Sequence, residues 1–452
     1  MPRYERPAAP MPAQWPASAN AGDTATTPLD WQSYLADPTL KRLINIALTN
    51  NRDLRVALLA IEQARAQLGL RRADQFPTLN LAAAGSRAPS SSGAINSSYS
   101  AGFTVTAYEL DFFGRVASLK EQALAQYLAS TEASRTAEIS LIATVAQSWL
   151  NLLADEELLG LSQRTLRSRD DSLKLLELKL KHGAASEFDL RAGQTLLESA
   201  RVSLAQQTRQ RALDENALVL LLGQALTDPD RTELTQRQLG QVRFAALPPG
   251  LPSELLTRRP DIRQAEQNLI ASNASIGAAR AAFFPRISLT AGLGSASSDL
   301  SGLLKNGSWG WTLAPQAVLP LIDAGRNQAN LDASTVGRDI ATAQYEKAIQ
   351  SAFREVADAL ASQTTLTQQL QAQAALLQAE ESRSQLTQVR LDAGVANQLE
   401  WLDAQRSLFA AQQAMVQTRL ATLQNQMTLF KVLGGGTQMP AQPMSQATEA
   451  AH

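Results

Sequence analysis

Glu400, Asp403 and Arg406 stand three residues apart in the stretch ANQLEWLDAQRSL, and a helix would bring all three roughly to one face. Two acids and a base at that spacing fit a solvated face with weak ion pairs, each worth well under about 1 kcal/mol. On spacing alone the solvated face is the ordinary reading. Other chemistry finds no foothold. The two histidines are His182, beside Gly183, and His452, the last residue, and neither adjoins a nucleophile. Cysteine is absent, which removes thiolate nucleophiles, thiolate metal sites and disulfides. LGGGTQ (433–438) follows a helical stretch, whereas a phosphate-cradling loop precedes one, so a helix C-cap is the better reading. The sequence therefore predicts no enzyme, no catalytic residue, no metal and no cofactor.

Composition narrows the partners. With 452 residues and a net charge of −1, the chain lacks the basic excess that nucleic-acid binding uses. The longest apolar stretch, ISLIATVAQSWLNLLA, is interrupted by Thr144, Gln147, Ser148 and Asn151, so membrane contact is expected through strands rather than helices. The opening MPRYERPAAPMPAQWP lacks the apolar stretch of a signal segment and reads as a Pro-rich extended tail.

The elements that must position those charges are written twice. Gly114 and Gly325, Gly183 and Gly394, and Gly223 and Gly434 are each 211 residues apart. FPTLNL (76–81) and FPRISL (284–289) mark the same point upstream of each Gly-Arg. No proline occurs from 90 to 228 or from 321 to 439, and proline costs about 3 kcal/mol inside a helix. Long helices are expected from Arg115 and from Arg326, each about 100 Å at 1.5 Å per residue. Gly183 and Gly394 supply left-handed stops, and Ser186 and Asn397 are suitable N-caps for shorter returning helices of about 55 Å. The position equivalent to the charged triplet reads Arg191-Ala192-Gly193 in the first copy and carries no acid.

Between the helices lie alternating segments. Tyr99, Ala101, Phe103, Val105 and Ala107 alternate with Ser100, Gly102, Thr104 and Thr106, and Trp309, Trp311 and Leu313 continue the theme in the second copy. Such alternation marks a soluble half-buried sheet as readily as a membrane strand. Four strands cannot close a barrel, since outer-membrane barrels begin at eight, so a barrel would require an oligomer.

ASNASIGAARAAFFPRISLTAGLGSASSDLSGLL, GSWGWTLAPQAVLPLIDAGRNQANLDAS, YELDFFGR (108–115), EVADALA (355–361) and LDAQRSLF (402–409) resemble the outer-membrane factor family. These are TolC-like channels of tripartite export pumps, and the likeness is greatest to the OprM-type drug-efflux branch of RND pumps. The resemblance covers nearly the whole chain. It implies a mixed fold, a transmembrane β-barrel of twelve strands above a periplasmic α-helical barrel, built by a homotrimer. Its partners would be a periplasmic adaptor, an inner-membrane RND transporter and outer-membrane lipid, with no nucleic acid. The function implied is a passive export channel for drugs or other small toxic compounds.

On that basis the chain divides into an extended N-terminal tail (1–36), a first repeat (37–222), an equatorial segment (223–255), a second repeat (256–434) and a C-terminal tail (435–452). Strands are expected at about 77–90, 98–112, 286–297 and 309–322; long helices at about 115–182 and 326–392; returning helices at about 187–222 and 398–433. Gly114, Arg115, Gly325 and Arg326 would be strand-to-helix junctions. Leu399, Glu400, Asp403 and Arg406 would form the periplasmic gate, with the leucine as an apolar ring. Gly183, Ala184, Gly394 and Val395 would dock the adaptor. Members of this branch carry a lipidated cysteine just before the P-x-Y-x-R-P tail; here Met1 precedes Pro2, and a lipid anchor is expected of the native form. The alternative is an elongated soluble helical scaffold or adaptor.

Overall fold

The computed structural model describes residues 4–8, 12, 30–89, 93, 95–245, 247, 259–305 and 307–435. Most of the expected N-terminal tail, residues 248–258 of the middle segment and the C-terminal tail past 435 lie outside the described residues. The first half of the chain runs α1 (Trp31–Tyr34), α2 (Pro38–Asn50), α3 (Arg52–Ala73), β1 (Leu79–Pro89), β2 (Ile95–Leu110), α4 (Arg115–Lys181), α5 (Glu187–Leu222) and α6 (Asp228–Gln236). The second half runs α7 (Pro260–Ala281), β3 (Arg286–Ser297), β4 (Trp309–Val318), α8 (Arg326–Asp392) and α9 (Gln398–Val432).

α4 and α8 each hold 67 residues without a proline. Gly160 and Gly337 are absorbed into them, each at a cost of about 1 kcal/mol relative to alanine. α4 also contains a window apolar enough to cross a bilayer, but 67% of that window is buried inside the protein. Ile142, Trp149, Leu150 and Leu153 explain why, because all four are fully buried core residues of this helix. Extended chain over 1–36 fails at its end. The Asp30 side chain accepts from the Gln32 N–H to start α1, and Trp31 and Tyr34 are buried. Tyr34 stacks on Phe430 at 4.8 Å and on Phe244 at 5.4 Å, and donates its hydroxyl to the Gln426 carbonyl. β4 stops at Val318, short of the expected 322, and as an edge strand it tolerates Pro315 opposite Leu289.

Two compact units cut across the chain order, each drawing on both halves. One holds residues 58–133 and 261–349 with 1–10; the other holds 11–57, 134–260 and 350–452. The second unit has its core where α2, α4, α5 and α9 bring together Leu43, Ile44, Trp149, Leu153, Leu218 and Phe430.

The first unit carries one antiparallel sheet, in the order β1-β2-β3-β4. Leu81, Phe103, Leu293 and Trp311 are cross-strand partners and form an apolar row across all four strands. These side chains are 77%, 49%, 55% and 75% exposed, so no layer among the described residues covers them. Leu79, Val105, Ala291 and Leu313 form the next row on the same face. The opposite face presents Asn80, Thr104, Gly292 and Thr312, then Ala82, Gly102, Gly294 and Gly310. Gly102 and Gly294 are required by close approach, since a Cβ on Gly102 would stand 2.5 Å from the Gly294 Cα. The ladder shifts register between Val105 and Tyr108, where Ala107 takes φ 51°. β1 and β4 leave two open edges.

Candidate gate at the helical turns

The two helix reversals use the same chemistry. After α4, Gly183 takes φ 72° and the Ala184 N–H donates to the Lys179 carbonyl at 2.8 Å. After α8, Gly394 takes φ 70° and the Val395 N–H donates to the Arg390 carbonyl at 2.8 Å. Both wraps satisfy carbonyls that the helix end leaves without partners. The returning helices then start on caps. The Ser186 hydroxyl accepts from the Asp189 N–H at 3.1 Å, and the Asp189 carboxylate accepts from the Ser186 N–H at 3.0 Å. Asn397 Oδ1 accepts from the Glu400 N–H at 2.8 Å. These caps set the direction in which α9 leaves the turn and so aim its first two turns.

Asp403 is the centre of the charged cluster. Arg406 Nη2 donates to its Oδ1 at 2.5 Å, and Arg383 Nη2, from α8, donates to its Oδ2 at 2.6 Å. Arg383 also pairs with Glu380 at 3.2 Å. Its guanidinium is held above its ordinary range, first by the hydrogen bond to Asp403. The carboxylate therefore ties α9 to α8, and does so within one chain. Glu400 stands apart from this cluster and faces Arg390 at 3.9 Å. Leu399 is 53% exposed, whereas Leu402 is buried. The cluster borders a cavity of about 700 Å³ that Thr387, Leu399 and Thr195 also line.

Motif spacing along the chain does not reveal Arg383, because it lies 20 residues before Asp403, on the other helix. The signal that could have found it is the turn itself. Folding the chain about Gly394 brings 383 and 403 together, since they fall on either side of that pivot. In the first hairpin Arg191 pairs within its own helix, with Glu187 at 2.8 Å and Gln194 at 2.9 Å.

The strand-to-helix junctions are built differently from each other. Gly114 and Gly325 both take positive φ, 75° and 84°. Asp111 accepts from the Ala117 N–H at 2.7 Å and Asp323 from the Asn327 N–H at 2.8 Å, capping α4 and α8. Arg115 donates to both oxygens of Glu109 at 2.7 Å, and Arg286 joins the same carboxylate at 2.7 Å. Arg326 has no such pair among the described residues. The position 211 after Glu109 is Pro320, which supplies no acid.

An uncovered apolar sheet face, a small polar opposite face and long capped helices define the chain of an outer-membrane channel. The chain belongs to the outer membrane efflux protein family, whose sequence pattern matches residues 43–224 and 251–435. The solvent efflux pump outer membrane protein SrpC of Pseudomonas putida is 47% identical over 451 residues, covering 96% of this chain and 95% of that one. The outer membrane protein OprJ of Pseudomonas aeruginosa is 45% identical over 445 residues, covering 96% and 92%. Among solved structures, the open state of the Neisseria gonorrhoeae MtrE outer membrane channel superposes with a TM-score of 0.88 at 38% identity, covering 96% of this chain and 98% of that one. The protein is thus an outer-membrane efflux channel protein, mostly helical with one small sheet, extending into the periplasm, and is not an enzyme.

Proposed function

We propose that three copies of this chain form a passive export conduit, with twelve strands closing a barrel in the outer membrane and the long helices closing a tube beneath it. The observation that carries this reading is the row Leu81, Phe103, Leu293 and Trp311, exposed on a sheet with two open edges. Closure with neighbouring copies removes the edges, and lipid covers the apolar face. A soluble scaffold would leave that row in water.

In this reading Leu399, Asp403 and Arg406 meet near the axis at the periplasmic end, and the Arg383–Asp403–Arg406 cluster holds each α9 against α8 when the entrance is closed. Glu400 adds charge beside it. Gly183, Ala184, Gly394 and Val395 present the turns to a periplasmic adaptor, which joins the channel to an inner-membrane transporter that drives export. The relatives named for solvent and antibiotic efflux point to small apolar or amphiphilic toxic compounds as cargo. Native mass spectrometry in detergent tests the assembly, with a species of three 48.6 kDa chains as the expected result. A monomer that stays dispersed without detergent would contradict it.

A further inference from the structure

A second cavity, of about 330 Å³, lies among α4, α8 and α9, lined by residues distinct from those of the gate cluster. Arg169 lines it while being only 5% exposed. Its Nη1 donates to the Leu196 carbonyl at 2.9 Å and the Ser199 hydroxyl at 3.0 Å, and its guanidinium carbon lies 5.2 Å from the Phe409 ring centroid. All three partners are neutral. Among the described residues, the buried Arg169 Nε–H has no hydrogen-bond partner, and neither has the buried Gln405 Oε1 of a residue lining the same cavity. Arg164 adds a second cation to the lining, and no Asp or Glu belongs to it. Among the described residues, neither arginine takes part in an ion pair.

A cation withdrawn from water without an anion beside it is costly, and burial pushes the Arg169 guanidinium below its ordinary range. The donor that lacks a partner, the excess of positive charge and the free carbonyl oxygen of Gln405 describe a complementary ligand. It carries a carboxylate for the arginines and a donor for Gln405. The remaining wall, Leu161, Leu408 and Phe409, is apolar and calls for a hydrocarbon body rather than an inorganic ion. The volume would hold roughly ten waters, enough for a single-ring molecule.

We propose that this cavity binds a small amphiphilic carboxylate, its anionic end on Arg169 and Arg164 and its apolar body against Phe409. The site is independent of the gate and of the export reading. The rival occupant is a carboxylate from a neighbouring copy of the chain. Salicylate, which carries a carboxylate and an adjacent hydroxyl, is a suitable probe, and salicylamide is its neutral counterpart.

The test is calorimetric titration of the full chain, assembled in a nonionic detergent, with each probe. Salicylate is expected to bind saturably, once per chain, and salicylamide about tenfold more weakly or worse, as loss of a charge-assisted hydrogen bond requires. Arg169→Gln should abolish salicylate binding. Because that change also removes contacts to α5, Ser384→Phe serves as a second variant that fills the cavity and leaves Arg169 in place. It should abolish binding with helix content and assembly unchanged. Absence of saturable salicylate binding to the parent protein, as a neighbouring carboxylate in the site would produce, overturns the proposal. Equal binding of both probes, or binding that survives in assembled Ser384→Phe, overturns it as well.

Discussion

Thr312 and Leu313 are adjacent on β4 and face opposite sides of the sheet, so they isolate the claim that one side meets lipid. Leu313 is 57% exposed and shares its row with Leu79, Val105 and Ala291; Thr312 shares its row with Gly292, Thr104 and Asn80. Leu313 is the fifth residue of the ten in β4, near the middle of the strand. An arginine on the lipid face near the bilayer midplane costs about 2–4 kcal/mol, and three chains in one barrel raise that to about 6–12 kcal/mol. This is comparable with the whole stability of a typical domain, about 5–15 kcal/mol. In the proposed barrel the same charge at position 312 would face the polar lumen, where it is not transferred into lipid. Unheated gel electrophoresis of outer-membrane fractions reads the assembled population. Thr312→Arg should assemble like the parent protein, and Leu313→Arg should be lost from the assembled band. Equal assembly of the two variants, or equal loss, would refute the assignment of faces.

The α4–α5 contact predicts a pH dependence. Asp155 is buried, and burial together with the neighbouring Asp214 carboxyl raises it from 3.8 to about 8. The fold therefore holds a proton that the unfolded chain releases, so this contribution is full below about 3.8, shrinks as pH rises and is gone past about 8. The melting temperature should carry a falling component between pH 5 and 8 that Asp155→Asn removes; identical pH profiles for parent and variant would exclude it. At the second turn, Gly394→Val forces a β-branched residue to φ 70°, at a cost of about 1–2 kcal/mol. Adaptor binding, measured by surface plasmon resonance, should weaken while trimer assembly is retained, and unchanged binding would place docking elsewhere.

The sequence displays the helices more openly than the charge network. Proline-free runs and the glycines at 114, 183, 325 and 394 announce where chain direction changes, because proline and left-handed glycine act locally on the backbone. The α1 turn is invisible in the same way of reading, since it exists through packing of Tyr34 on Phe430 and Phe244, both distant in sequence. The alternation in β2 and β3 marks two faces, but only the cross-strand register shows that Leu81, Phe103, Leu293 and Trp311 align. Asp403 and Arg406 are legible as an i, i+3 pair. Arg383 and the partnerless Nε–H of Arg169 are not, because their surroundings are made by separate helices.

The most direct test of the central claim, a conduit closed at the α8–α9 turn, is single-channel conductance in a planar lipid bilayer. Asp403→Ala with Arg406→Ala removes the carboxylate that ties α9 to α8 and leaves Arg383 only its pairing with Glu380. Trimers of this variant should show conductance well above the parent protein's, with reduced cation preference as three carboxylates leave the entrance. Trimers whose conductance and ion preference match the parent's would contradict the account and reduce Asp403 to a solvated ion pair.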